Sequence, residues 1–238
     1  MRKQKRFDLY GTNLYKSNIR QSEYDGNISD YFNNYIEEIH DYWIDIPKRQ
    51  IRIQGLETSP ESNNEEEPGV EYNMANRVNK NLHILKNISE TEPVTIFLHT
   101  NGGFVHEGMS IFDTIKAMPY PVTIINEVYA RSMSGFILLA GDTRLMLPNS
   151  YFMFHRGTVG YSGDPKLVDS LKKHDDVVEV RLMKIFTDTL KKKGKFRHKS
   201  VSWIEKMLEK KMDEKIDVFL TAEEAVEWGF ADRIIHSF

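Results

Sequence analysis

Two serines, Ser132 and Ser134, stand in YARSMSGFILLAG, residues 129–141, where a strand passes through a turn into an apolar helix. A serine at a helix tip has two uses. Its hydroxyl can cap the helix by accepting from an orphan backbone N–H, or it can act as a nucleophile beside free N–H groups that hold an oxyanion. The residue alone does not separate these readings; its partners must. Gly102 and Gly103, in TNGGFV, end a strand on the edge where crossover units place ligands. They suit a tight turn, and they also let backbone approach a substrate closely, so that the N–H of Gly103 could join that of Met133 in an oxyanion hole. His155 closes the apolar run YFMFH and precedes a polar turn, a setting that fits a satisfied edge histidine as well as an acid–base group. Asp217, in EKIDVFLTAEEA, is one of 35 acidic residues, and nothing local singles it out. His99, His106, His174, His198 and His236 are less well placed. With no cysteine and no H-x-x-x-H pair, no zinc site is expected, and no cofactor is implied.

These residues need elements to position them. RQIRIQG, 49–55, alternates polar and apolar side chains and predicts a first strand that stops at Gly55. SPESNNEEEPG, 59–69, is acidic and aperiodic, a loop. Met74, Val78, Leu82, Ile84 and Leu85 form the buried stripe of a helix over residues 71–86. Then follow VTIFLHT as a continuous apolar strand, NGG as a turn, EGMSIFDTIKAM as a helix bounded by Pro119 and Pro121, and VTIINEV as another strand. SMSGFILLAG is a helix ending at Gly141, TRLMLP a strand, and YFMFH a further short strand. Such alternation with buried strands predicts parallel crossover units and an α/β class. From Asp164 to Leu190 the apolar Leu167, Leu171, Val178, Leu182, Ile185 and Phe186 recur at helical intervals. A helix of about 25 residues is ~38 Å long, more than a compact domain of this size needs, so it is expected to project. KKKGKFRHKS after it reads as a basic, exposed connection, and TAEEAVEWGFADRII as a short helix with a closing strand. Near the start, Tyr31, Phe32, Tyr35, Ile36 and Ile39 suggest an amphipathic helix within an aromatic and acidic arm, residues 1–47, packed on the body or on a neighbour.

The totals permit this design. A chain of 238 residues fits one domain with an appended arm and buries roughly 70% of its unfolded surface. With 32 basic and 35 acidic residues the net charge is −3, which gives no field to gather nucleic acid or anionic lipid. The longest apolar runs, VTIFL and FILLA, fall far short of the ~20 residues that cross a bilayer. MRKQKRFDLYGTN is not followed by an apolar stretch of signal-peptide length. A cytoplasmic, soluble protein is expected, with no membrane or nucleic-acid partner.

Taken in order, TNGGFVHEGMSIFDTI, ARSMSGFILLAG, LPNSYFMFHRG, GYSG and DVFLTAEEAVEWGFAD resemble the peptidase subunit of the Clp protease, a serine peptidase family of crotonase-like fold. The resemblance runs from about Arg49 to Ile235, with a fainter echo at RFDLYGT. It implies an α/β fold of repeated strand–turn–helix units over 48–238, with a projecting handle at about 156–195. It also implies Ser132 as nucleophile, His155 as base and Asp217 as orienting acid, with Gly103 and Met133 as oxyanion donors. Gly102, Phe104 and Val105 fall in the family's substrate-binding strand, where an extended peptide adds as a further strand. The implied activity is endopeptidase cleavage of peptides or unfolded proteins inside a homo-oligomeric ring, a heptamer or a stacked double ring, with a Clp-type ATPase unfoldase as a partner. Thr100-Asn101 stands where the family has Ser-Pro, Arg156-Gly157 where it has Gln-Pro, and Lys215-Ile216 where an Asp-Arg pair usually precedes the acid. Two rivals stand beside this reading. One is a catalytically silent subunit that uses the fold as a scaffold; the other is a crotonase-like acyl-thioester enzyme that uses only the oxyanion hole and has no need of a Ser-His-Asp set.

Overall fold

A computed structural model of the protein describes residues 35–37, 39–55, 69–157 and 159–238. Most of the expected arm, with Tyr31 and Phe32, and the acidic loop before Gly69 lie outside the described residues. Within the arm, residues 35–37 and 39–42 are helical. The chain then forms β1 (Ile44–Asp45), which pairs antiparallel with β2 (Gln50–Gly55). That strand belongs to the sheet although its residues fall inside the stretch assigned to the arm.

The centre is a parallel ladder. β2, β3 (Val94–Thr100), β4 (Val122–Arg131) and β5 (Thr143–Met146) lie side by side in that order, and β8 (Arg233–Ile234) closes the edge beyond β5. Their connections are helices, as a parallel sheet requires: α1 (Tyr72–Ile88), α2 (Val105–Ala117) and α3 (Met133–Ala140). Met74, Val78, Leu82 and Leu85 of α1 are buried, while Ile84, expected on the same stripe, is exposed.

β4 changes neighbours along its length, and this fork makes room for the site. Thr123–Asn126 pair with β5, whereas Tyr129–Arg131 pair with β6 (Tyr151–Phe154). Asn126, fully buried at the fork, donates through Nδ2 to Tyr151 O at 3.0 Å and spans the two arrangements. β6 in turn pairs antiparallel with β7 (Val218–Thr221). β7 leads through a Thr221–Glu224 capping box into α6 (Ala222–Trp228).

Besides β1, two elements were not legible locally: β7, and α5 (Val201–Glu214), whose Ile204, Leu208 and Met212 are buried. The long helix is present as α4 (Pro165–Lys192), capped by the Asp164 side chain. Its foot is packed, with Phe186 4.4 Å from Phe136 of α3 and 5.6 Å from Phe154 of β6 by ring centroids. Its earlier turns carry no buried residue. No helix among the described residues is long and apolar enough to cross a membrane.

Candidate active site

Ser132 is the residue that joins β4 to α3. Its N–H donates to Met153 O at 2.9 Å, continuing the β4–β6 ladder by one residue before the chain turns. The turn forces φ 51° and ψ −124° on a residue with a side chain, a conformation that glycine adopts far more readily. Although Ser132 occupies the N-cap position of α3, its side chain makes no capping hydrogen bond. Its Oγ instead lies 2.8 Å from Nε2 of His155. Ser134 serves the backbone instead. It is buried, and its Oγ lies 2.6 Å from Thr100 O and 2.8 Å from Arg131 O, so its single proton goes to backbone carbonyls.

His155 follows β6 directly, and Asp217 immediately precedes β7. In the antiparallel register Phe154 faces Val218, so one further step along each strand brings the two residues opposite each other. His155 Nδ1 lies 3.1 Å from Asp217 Oδ1, with the carboxylate side chain 42% exposed. The structure therefore joins Ser132, His155 and Asp217 in one line, hydroxyl to imidazole by a hydrogen bond of 2.8 Å and imidazole to carboxylate by a close contact of 3.1 Å. A ladder between strands remote in sequence brings in Asp217, which is why its local sequence carried no signal.

The Gly102–Gly103 turn lies against the serine turn. Gly102 has φ +91°, and a Cβ there would stand 2.6 Å from Arg131 O and 2.8 Å from Met133 N. Only glycine allows that approach. Val70 forms a parallel bridge to Gly103 that uses the N–H groups of Val70 and Phe104, and no described residue accepts from the Gly103 N–H. Met133 opens α3, where the helix itself gives its N–H no acceptor. Among the described residues, two donors beside Ser132 thus have no acceptor. Phe104 is extended and 68% exposed, whereas Val105 is the first residue of α2, helical rather than part of a strand. Arg156 pairs with Asp213 at 3.2 Å, both exposed.

On the face of the sheet that bears His155 stands a cluster that sequence reading passed over. The Arg131 guanidinium carbon lies 4.2 Å from the Tyr129 ring centroid, 5.1 Å from that of Tyr151 and 5.8 Å from that of Phe219. His99 meets Tyr129 edge-on at 4.6 Å. Burial lowers the His99 imidazole below its ordinary range, with Glu127 opposing and Arg131 adding to the fall. Burial likewise raises the Tyr129 hydroxyl, against the pull of Arg131. At neutral pH both groups are uncharged beside the guanidinium. The available signal was a lone cation set inside an apolar motif, directly before Ser132. Among the described residues, no group of three or more His, Asp or Glu side chains has the arrangement to hold a metal ion.

A model of the family described as Clp protease matches residues 67–238. The chain belongs to the Clp protease family. The match begins within the last residues of the acidic loop, so β2 lies outside it. Two Clp relatives are similar over most of their length. The ATP-dependent Clp protease proteolytic subunit of Deinococcus radiodurans is 31% identical over 168 residues, 70% of this chain and 76% of its own. The ATP-dependent Clp protease proteolytic subunit 2 of Pseudomonas aeruginosa is 31% identical over 171 residues, 71% of this chain and 78% of its own. A solved structure of a mutant ClpP1 from Listeria monocytogenes matches with a TM-score of 0.60 at 25% identity, covering 80% of this chain and 92% of that one. The fold is the Clp peptidase fold, with the Clp family's strand–turn–helix units carrying Ser132, His155 and Gly103 at strand ends.

Proposed function

We propose that the protein is a serine endopeptidase in which Ser132 is the nucleophile, His155 the general base and Asp217 the orienting acid. The observation that supports this most directly is the unbroken line from Ser132 Oγ to His155 Nε2, 2.8 Å, and from His155 Nδ1 to Asp217 Oδ1, 3.1 Å. His155 Nε2 takes the hydroxyl proton as Oγ attacks a peptide carbonyl, and the N–H groups of Gly103 and Met133 receive the developing oxyanion. The imidazolium then protonates the leaving amine, and a water activated by the same nitrogen hydrolyses the acyl-enzyme. Asp217 holds the tautomer with its proton on Nδ1 and stabilises the imidazolium. The strained turn at Ser132 keeps its hydroxyl off the helix cap and turned to the base. Phe104, extended and exposed, offers a surface for the bound peptide beside Gly102, with Val105 at the margin.

The relatives are named as subunits of an ATP-dependent protease. On that basis the chain works as a homo-oligomeric ring, single or stacked, fed with unfolded protein by a Clp-type ATPase in the cytoplasm. The exposed Leu167, Leu171, Val177 and Val180 on the outer turns of α4 fit this assembly, since in a lone chain they face water. A fluorophosphonate probe tests the chemistry: purified protein should be labelled, and Ser132→Ala should abolish labelling and lower peptide hydrolysis by on the order of 10⁶-fold. Absence of labelling in an assembled particle would instead identify a silent scaffold. Native mass measurement separates monomer, single ring and double ring.

A further inference from the structure

β3 and β6 lie on opposite sides of β4 and share no hydrogen bond with each other. Yet the turn after β3 carries Gly103 and the end of β6 carries His155, so the distance between the oxyanion donors and the base must be set across β4. The β3–β4 ladder is weakest here, because its register shifts between Leu98 and Thr100. One side chain bridges the gap. Arg131, on β4 directly before Ser132, donates through Nη1 to Asn101 Oδ1 at 3.2 Å on one side and through Nη2 to the Tyr151 hydroxyl on the other. Phe219, on the strand that follows Asp217, stands beside the same guanidinium.

We propose that Arg131 is a positioning residue, a clamp that holds the oxyanion turn, the nucleophile and the strand of the base at fixed separation. The proposal rests on the peptidase reading given above. A planar fork with donors on diverging nitrogens can bind Asn101 and Tyr151 at once, whereas a lysine ammonium on a flexible stem reaches one or the other. The aromatic rings of Tyr129 and Tyr151 fix the plane of the fork. Nε is buried without a partner among the described residues, so the hydrogen bonding of this side chain is concentrated in its two outer nitrogens. A clamp of this kind acts on the transition state more than on substrate binding, because it sets the geometry between groups that work together only as charge develops.

The test compares Arg131→Lys, Asn101→Ala and Tyr151→Phe with the wild-type assembly, using a short fluorogenic peptide for turnover and hydrogen–deuterium exchange for backbone opening. For Arg131→Lys, kcat is expected to fall roughly 10- to 100-fold with KM nearly unchanged. Asn101→Ala and Tyr151→Phe, each of which removes one acceptor of the fork, should lower kcat in the same direction by less. Exchange should rise in Arg131→Lys both over 100–104 and over 151–156, on the two sides of β4. An unchanged kcat, a change confined to KM, or exchange that rises only within 129–132 would overturn the clamp. If the wild type takes no fluorophosphonate label, the peptidase reading fails. The exchange map needs no turnover, so in that case it still tests the clamp.

Discussion

The two ends of α4 share one apolar periodicity and live in opposite surroundings. Phe186 and Leu190, near the C-terminal end, are buried, and Phe186 is wedged between α3 and β6, the elements that begin at Met133 and end before His155. Leu167 and Leu171, on the earlier turns of the same stripe, are exposed. The difference teaches that a helical stripe of apolar residues reports a partner surface without saying which molecule supplies it. At the foot, this chain supplies it and the site is built on the result; on the outer turns it does not.

Four changes would break or sharpen that contrast. The largest effect belongs to the site itself. Asp217→Asn should lower kcat by on the order of 10⁴-fold, because the amide no longer holds the imidazole tautomer or its charge; steady-state hydrolysis of a short peptide checks it, and a loss below tenfold would remove Asp217 from its role. Next comes the foot. Phe186→Ala removes a ring packed on Phe136, Phe154 and Phe230 and should cost about 3–5 kcal/mol in denaturant unfolding, with loss of activity as α3 and β6 loosen. The outer turns should behave in the reverse manner. Leu167→Ser combined with Leu171→Ser should alter the stability of the chain by no more than about 0.5 kcal/mol while lowering the particle mass in native mass spectrometry. If that pair instead unfolds the chain, the contrast between the two ends is wrong.

The smallest effect is a pH dependence where the end of α4 meets the sheet. Burial alone would raise the Asp232 carboxyl, but hydrogen bonds from Arg144 and Lys193 outweigh it and hold the group below its unfolded value of 3.8. Arg144 Nη2 and Lys193 Nζ approach Asp232 Oδ1 at 2.9 and 2.8 Å, joining β5 to the residue that ends α4. A depressed carboxyl contributes stability that is complete above 3.8 and is lost as the pH falls from there through the folded value. Asp232→Asn should therefore flatten the acid limb of a melting-temperature profile. An acid limb unchanged by the substitution would show that the pair contributes nothing.

Much of the frame was readable because its signals are local. VTIFLHT and TRLM are apolar runs bounded by turns, and both are strands of the parallel ladder. Asp164, Pro165 and the apolar spacing beyond them marked α4 to within a few residues of its ends. α5 was passed over because it follows a basic connection and its three buried residues are spread among charges. β7 was missed for another reason: its four residues gain strand identity from pairing with β6, a partner remote in sequence. The candidate site divides along the same line. Ser132, Gly102, Gly103 and His155 sit at turns that local sequence reveals, and the resemblance to the Clp family supplied the roles expected of them. Asp217 carries no signal of its own, and the resemblance placed it by the DVFLTAEEA block that follows it. Arg131 was passed over because Asn101 and Tyr151 meet it only in the folded sheet.

At 28 residues, α4 is about 42 Å long, and its buried residues lie only in its final turns. Such a rod is a lever. A small tilt where Phe186 is wedged becomes a much larger sweep at Pro165, and conversely a force applied at the free tip is delivered, multiplied, to the aromatic seat beneath His155.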